Sequence, residues 1–302
     1  MVDLLAFGEP MVEYNQRHGE NFLRGFGGDT SNAAIAAARH GARAGIVTAL
    51  GDDHHGRLLL DLWAAEGVDA AHVRIDPAAP TGVYFVSHGP DGHAFDFLRR
   101  GSAASRVTPA DMPRAAIAAA RIVHLSAISL AISDTACDAG FAVMRMAREA
   151  GVQVSFDCNL RRKLWGPDRA SAVITQALSL CDIALPSLDD LAAVIGTDDP
   201  AAQGAWCLSR GAQIVAVKCG ADGAQVFWNG KTAVVPAHRV DPVDATGAGD
   251  CFDGAFLARL LAGDAPDAAA RYAAVAAALS TTGYGAVAPI PDVQAVRAAM
   301  NG

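Results

Sequence analysis

The chain has 302 residues, 52% of them apolar and 19% charged, with a formal net charge of −8 at pH 7. That apolar share supports a large α/β core without disulfides or metal. The acidic balance argues against a nucleic-acid or anionic-membrane surface, so an anionic substrate needs locally placed cations.

The N-terminal MVDLLAFGEP carries Asp3 where a secretion signal wants cations, and the apolar stretch 115–133 is broken by Arg121 and His124. Neither reads as a signal or a bilayer span. The six cysteines (137, 158, 181, 207, 219 and 251) show no CxxC spacing and read as buried small residues of a cytoplasmic, reducing environment. DLLAFGE (3–9) predicts a first strand, SNAAIAAARHG (31–41) a helix and AGIVTALGDD (44–53) another strand. TGVYFVSHGPDGHAFDFLRR (81–100) reads as two strands joined by a Gly-Pro-Asp-Gly turn. Alternation then puts Phe95, Phe97 and Arg99 on one face. A hairpin outside a parallel sheet must cover something, either a ligand or a neighbouring subunit; with part of 10–25 it forms a small second layer.

From residue 121 onward the apolar runs RIVHLS (121–126), VQVSFD (152–157), CDIALPS (181–187) and AQIVAVKCG (212–220) alternate with helical-period stretches over 133–151, 166–180 and 188–196. Continuous apolar strands between amphipathic helices predict a parallel sheet covered on both faces. The runs end in Ser126, in Asp157 followed by Asn159 and Arg161, in Ser187 and in Lys218, and open α/β sheets bind ligands at that edge. Helix capping explains Ser126 and Ser187 without any ligand.

VDATGAGDCFDGAF (243–256) poses the chemical question. Gly247 and Gly249 let backbone N–H groups converge at a helix start, which makes an anion cradle. Phe252, Phe256 and Leu260 repeat at helical spacing, yet no Lys follows the glycines and an acid, Asp250, stands at the mouth. A carboxylate there repels a resident phosphate but suits a general base, if the anion is transient and the acid takes a proton from an attacking hydroxyl. It also suits an ordinary helix-start acid, and spacing alone leaves both open. GxxxxGK[ST] is absent, as is GxGxxG after the first strand, which removes the P-loop NTPases and weakens a dinucleotide reading. No HExxH or Cys/His cluster signals a transition metal, and the nine histidines are scattered.

FGGDTSNAAIAAARHG (26–41) and DATGAGDCFDGAF (244–256) resemble the N- and C-terminal signatures of the ribokinase-like (PfkB) carbohydrate kinases, and the likeness runs from end to end. It implies one domain over 1–302: a three-layer α/β/α sandwich with a mainly parallel central sheet, and a small β lid from about 10–25 and 81–100. It implies ATP and Mg²⁺, with a monovalent cation such as K⁺ required by some relatives. By the same resemblance Asp250 is the general base, and the amides around Gly247, Ala248 and Gly249 form the anion hole. VKCGADGA (217–224) then places Lys218, Gly220 and Gly223 near ATP with Gly247 and Gly249, and Asn159 near the γ-phosphate. Ser187-x-x-Asp190 stands where the family has Asn-x-x-Glu, which implies a nucleotide-side Ser187 and an Asp190 that reaches Mg²⁺ through water.

Within the family, GFGGDTSN (25–32), TGVYF (81–85), RRGSAAS (99–105), LSAISLAI (125–132) and FDCNLRRKLW (156–165) resemble segments of the 2-keto-3-deoxygluconate kinases. That implies phosphate transfer to a primary (6-) hydroxyl, with Gly28, Asp29 and Asn32 on sugar hydroxyls, and Tyr84 and Phe97 contributed by the lid. Arg99 and Arg161 would take the carboxylate, for which a planar fork of donors is suited. Phe97 stands where some of these kinases have Tyr, and Tyr284 where some have Asp, so a related acid sugar fits too. Fructokinases share D-x-N-L-R and an Arg near 99, which keeps fructose or another ketose as the alternative. A non-catalytic sugar or nucleotide sensor is the alternative of another class. The exposed aromatic hairpin also suggests a homodimer through the lid.

Overall fold

Two sheets organise the chain, and the larger is built from the apolar runs. The computed structural model describes residues 2–89 and 92–301. The first part runs β1 (Leu4–Phe7), β2 (Met11–His18), β3 (Asn21–Gly27), α1 (Asp29–Arg39), β4 (Ala44–Gly51), α2 (His54–Glu66), β5 (Asp69–Asp76), β6 (Val83–Gly89) and β7 (Gly92–Leu98). Then come α3 (Arg114–Ala119), β8 (Ile122–Ser126), α4 (Ala127–Ala131), α5 (Asp134–Glu149), β9 (Gln153–Asp157), α6 (Pro167–Leu178) and β10 (Ile183–Ala184). The last part is α7 (Leu188–Ile195), α8 (Pro200–Ser209), β11 (Ile214–Lys218), β12 (Ala224–Trp228), β13 (Lys231–Val235), α9 (Ala248–Leu261), α10 (Pro266–Ser280) and α11 (Val293–Asn301).

The large sheet has the order β13-β12-β11-β10-β9-β8-β1-β4-β5 among the described residues. The seven strands from β11 to β5 are parallel, and β12 and β13 close one edge as an antiparallel hairpin. Strand residues alternate between two cores. Leu4, Ala6 and Ile122 join one cluster with α1, α9 and α10, while Leu5, Phe7, Val123 and Leu125 join the other with α5 and α6. Helices therefore cover both faces, the expected three-layer α/β/α sandwich with a mainly parallel sheet.

The second sheet has the order β3-β2-β6-β7. It is mixed, because β2 and β6 run parallel while the two hairpins are antiparallel. Pro90 and Asp91, the centre of the expected turn, lie outside the described residues. Register aligns Gly25, Glu13, Tyr84 and Phe97 in one row across the four strands. Phe95 and Phe97 stack at 6.2 Å on that face, as alternation requires. The opposite face carries Val12, Val83, Tyr14 and Phe85 into the main core. Strand β5 and the β12–β13 hairpin lie outside the runs read from the sequence.

Candidate active site

Parallel strands bring their carboxyl ends to one edge, and there the chemistry gathers. Gly247 caps α9 in the left-handed region (φ 77°), and a Cβ on it would lie 2.8 Å from the Ala286 side chain. The loop before it is set by Asp244, whose carboxylate accepts from Thr246 N and Gly285 N, both at 2.9 Å. Asp250 follows in the first turn of α9, only partly covered, and its Oδ2 accepts from Asn32 Nδ2 at 2.8 Å. Asn32 Oδ1 is buried without a hydrogen-bond partner in the protein, so it remains an acceptor for a ligand hydroxyl.

Asp29 opens α1 and is buried; it accepts from Thr30 N and from Asn159 Nδ2 at 2.9 Å. Burial and the neighbouring Asp29 charge push the Asp250 carboxyl up to about 7. Asp29 is itself raised, chiefly by burial, against the hydrogen bond from Ser126. The same Ser126 caps α4, its Oγ accepting from Ser129 N at 3.2 Å, so capping accounts for part of what it does.

Beneath the first turn of α9, the Lys218 ammonium donates to Asp253 at 2.9 and 3.0 Å and pairs with Asp157 at 3.1 Å. All three side chains are buried. Asp253 is held well above the usual carboxylate range by burial, whereas Asp157 is lowered by the Lys218 charge in spite of its own burial. The sequence reading put Lys218 beside ATP; here its charge is taken up internally. Gly220 and Gly223 form the turn after β11, and Gly223 is obligatory, since a Cβ would lie 2.1 Å from Val235 O at φ 96°. Ser187 Oγ donates to Asp190 Oδ2 at 2.6 Å. Asp190 is raised, mainly by burial, with Asp157 adding to it.

The expected sugar-side residues divide. Gly28 (φ 101°) leads into α1, and a Cβ there would sit 2.3 Å from Glu9 O. Tyr84 is buried and donates to Glu13 Oε2 at 2.5 Å, instead of presenting a free hydroxyl. Phe97 stacks on Tyr84 at 5.5 Å and remains 42% exposed. Arg99 Nε donates to Glu9 Oε2 at 2.7 Å, while Ser102 Oγ holds Glu9 Oε1. Arg161 is exposed and donates to Leu160 O, and its charge is felt by Asp29 and Asp190. Tyr284 stacks under Arg17 at 3.5 Å.

Glu9, Glu13 and Asp253 were missed as site groups. Glu9 and Asp253 stand in GEP and GDCFDG, but spacing does not say which acids turn inward. Among the described residues no three acidic, His or Cys side chains converge as a metal cage. Asp190, whose Oδ2 accepts from Ser187, is a carboxylate of the oxygen-donor type that Mg²⁺ accepts directly or through water. The described cysteines are free, and no helix among the described residues is long and apolar enough to cross a membrane.

The profile of the pfkB family carbohydrate kinases matches residues 1–293. A 2-dehydro-3-deoxygluconokinase of Thermoproteus tenax is 38% identical, over 92% of this chain and 88% of its own length. A probable fructokinase-3 of Arabidopsis thaliana is 32% identical, over 97% and 90%. The solved structure of a fructokinase from Xylella fastidiosa with bound ATP superposes with a TM-score of 0.90 at 28% identity, over 99% and 98% of the two chains.

Proposed function

Because the chain belongs to the pfkB family of carbohydrate kinases, we propose that it transfers the γ-phosphate of ATP to the 6-hydroxyl of 2-keto-3-deoxygluconate or a close acid sugar. One observation carries the chemistry: Asp250 stands at the start of α9, partly exposed, beside the Gly247–Gly249 amides and aimed by Asn32. A carboxylate raised to about 7 is poised to take a proton near neutral pH. Asp250 removes the proton of the primary hydroxyl as that oxygen attacks the γ-phosphorus, whose bond to the bridging oxygen breaks so that ADP leaves. The amides at the helix start stabilise the charge on the transferring group. Mg²⁺, when bound, supplies neutralisation of the phosphate oxygens, and Asp190 is the side chain that would hold its water. Asn32 Oδ1 and Asp29 would receive sugar hydroxyls.

The substrate assignment is supported by the T. tenax relative and by Arg161, whose exposed guanidinium keeps donors for a carboxylate beyond its one bond to Leu160 O. A neutral ketose is the second reading, and a specific observation favours it. Arg99 is already neutralised by Glu9, and Glu13 adds a buried carboxylate to the face that carries Tyr84 and Phe97. A coupled ADP-release assay with Mg-ATP against 2-keto-3-deoxygluconate, fructose, ribose and adenosine separates the readings. A kcat/KM for the keto acid well above that for fructose is expected; the reverse order assigns the ketose. Silence with all four, together with calorimetric binding of sugar or ATP, points to a sensor.

A further inference from the structure

We propose that Lys218, clamped between Asp157 and Asp253, is a positioning residue for the catalytic base rather than a contact to the nucleotide. An ammonium has three N–H donors. Three carboxyl oxygens lie within 3.1 Å of this one, two of them accepting from it on Asp253 and the third paired with it on Asp157, so its charge is engaged inside the fold. The lysine side chain is 10% exposed, with Asp157 at 5% and Asp253 at 1%. Withdrawing the cation toward a phosphate would leave the ionised Asp157 buried without its counter-charge and the Asp253 carboxyl without its donor, a costly state.

What the triad holds together is informative. Asp157 ends β9, two residues before Asn159; Lys218 ends β11, just before the Gly220–Gly223 turn; Asp253 lies on α9, three residues after Asp250. Positions three apart on a helix share a face, so the clamp fixes the turn that presents the base. A Cβ on Gly249 would lie 3.7 Å from the Lys218 ammonium, which puts a fixed positive charge directly under the peptide next to Asp250.

The groups that act on Asp250 are Asp29 from α1, Asp157 after β9 and Lys218 from β11, with Asn32 donating to it and Tyr84 sensing its charge from the small sheet. Lys218 is the cation in that set, and it favours the ionised base against burial and Asp29. The proposal rests on the phosphoryl-transfer reading of Asp250.

The experiment uses the full chain with Lys218→Met and Asp253→Asn, reading kcat, ATP affinity by calorimetry and the acid limb of kcat/KM. Lys218→Met is expected to lower kcat by about tenfold or more. Its acid limb should move up by about one pH unit, as for loss of a nearby opposite charge, while ATP affinity stays within about threefold. A tenfold or greater loss of ATP affinity with an unmoved limb would make Lys218 a phosphate contact and overturn the proposal. Should Lys218→Met not fold, Asp253→Asn keeps the cation. It is expected to lower kcat, leave ATP affinity intact and hold the limb in place or move it down; unchanged kcat, or weaker ATP binding, overturns the clamp. Wild-type turnover is the control. Its absence with every sugar fails the kinase reading, and calorimetry of the variants still decides whether Lys218 touches ATP.

Discussion

Asp250 combines two demands that oppose each other. It must be ionised to act as the proposed base, yet burial and the Asp29 charge raise its carboxyl to about 7. Below that value the carboxyl is protonated and cannot accept the hydroxyl proton. The kcat/KM profile of the free enzyme should therefore fall about tenfold per pH unit on the acid side, with a limb near 7; a limb near 4 would show that the carboxyl keeps the ordinary aspartate value and is not raised by its surroundings. Asp250→Asn keeps an acceptor for Asn32 but cannot take the proton. A loss of at least about 100-fold in kcat is expected, with ATP and sugar affinities within a few-fold in calorimetry. Arg161 makes a different claim, on the ground state. Arg161→Ala should raise KM for the acid sugar by about tenfold or more, the scale of a charge-assisted hydrogen bond, and leave that for fructose nearly unchanged. Equal changes for both sugars would remove the carboxylate from its neighbourhood.

At the scale of elements, the site depends on how closely two helices meet. α1 brings Asn32 and α9 brings Asp250, and the helices touch where Gly254 has no side chain: a Cβ there would lie 2.2 Å from Ala33 O and 2.6 Å from Ala36 Cβ. Gly254→Ala should cost about 1–3 kcal/mol of stability and, by wedging the helices apart, lower kcat even below the melting transition. An unchanged thermal midpoint would show that the contact is looser than this. The sequence announces some of this architecture plainly. The parallel strands were legible because both faces are buried and their runs are unbroken, and α9 because Phe252 and Phe256 keep helical spacing. β3 was legible only as part of the lid segment 10–25, since it is exposed from Asn21 to Arg24 and its Phe22 and Leu23 adjoin instead of alternating. β5 is likewise mostly exposed or half-buried. Among site residues, the loop glycines and Asp250 carry a local pattern, whereas the partners of Lys218 and Arg99 do not. Glu9 and Asp253 become visible only when segments distant in sequence put an acid beside each cation.

For the whole molecule, the acids gathered at one sheet edge set how stability responds to pH. Burial raises Asp29, Asp190, Asp250 and Asp253 and also Glu13, whereas His40 and His124 are lowered by burial to about 4. The two sets act in opposite senses. A histidine whose folded value is depressed loses the fold stability as pH falls from 6.5 toward 4, because the unfolded chain binds the proton first. An acid whose folded value is raised loses it stability as pH rises, because the unfolded chain releases the proton first. Their sum is a partial cancellation, so the informative quantity is a difference between two proteins that share the histidines. Asp250→Asn removes one raised acid. At pH 4, where Asp250 is protonated in the fold and half so in the unfolded chain, the variant and wild type should melt nearly together. Between 4 and 7 the wild-type penalty grows, and above 7 it is complete. A shift from 3.8 to about 7 would nominally correspond to about 4 kcal/mol. Asp250 is partly exposed and interacts with the Asp29 charge, so about 1–2 kcal/mol is the expected gain at pH 8, a rise of roughly 2–4 °C in Tm. Calorimetric melting of both proteins at pH 4, 6 and 8 measures it. A variant less stable than wild type at pH 8, or a difference that does not grow with pH, would show that Asp250 is stabilised as a carboxylate in the fold, and that the base is not held in readiness at the expense of stability.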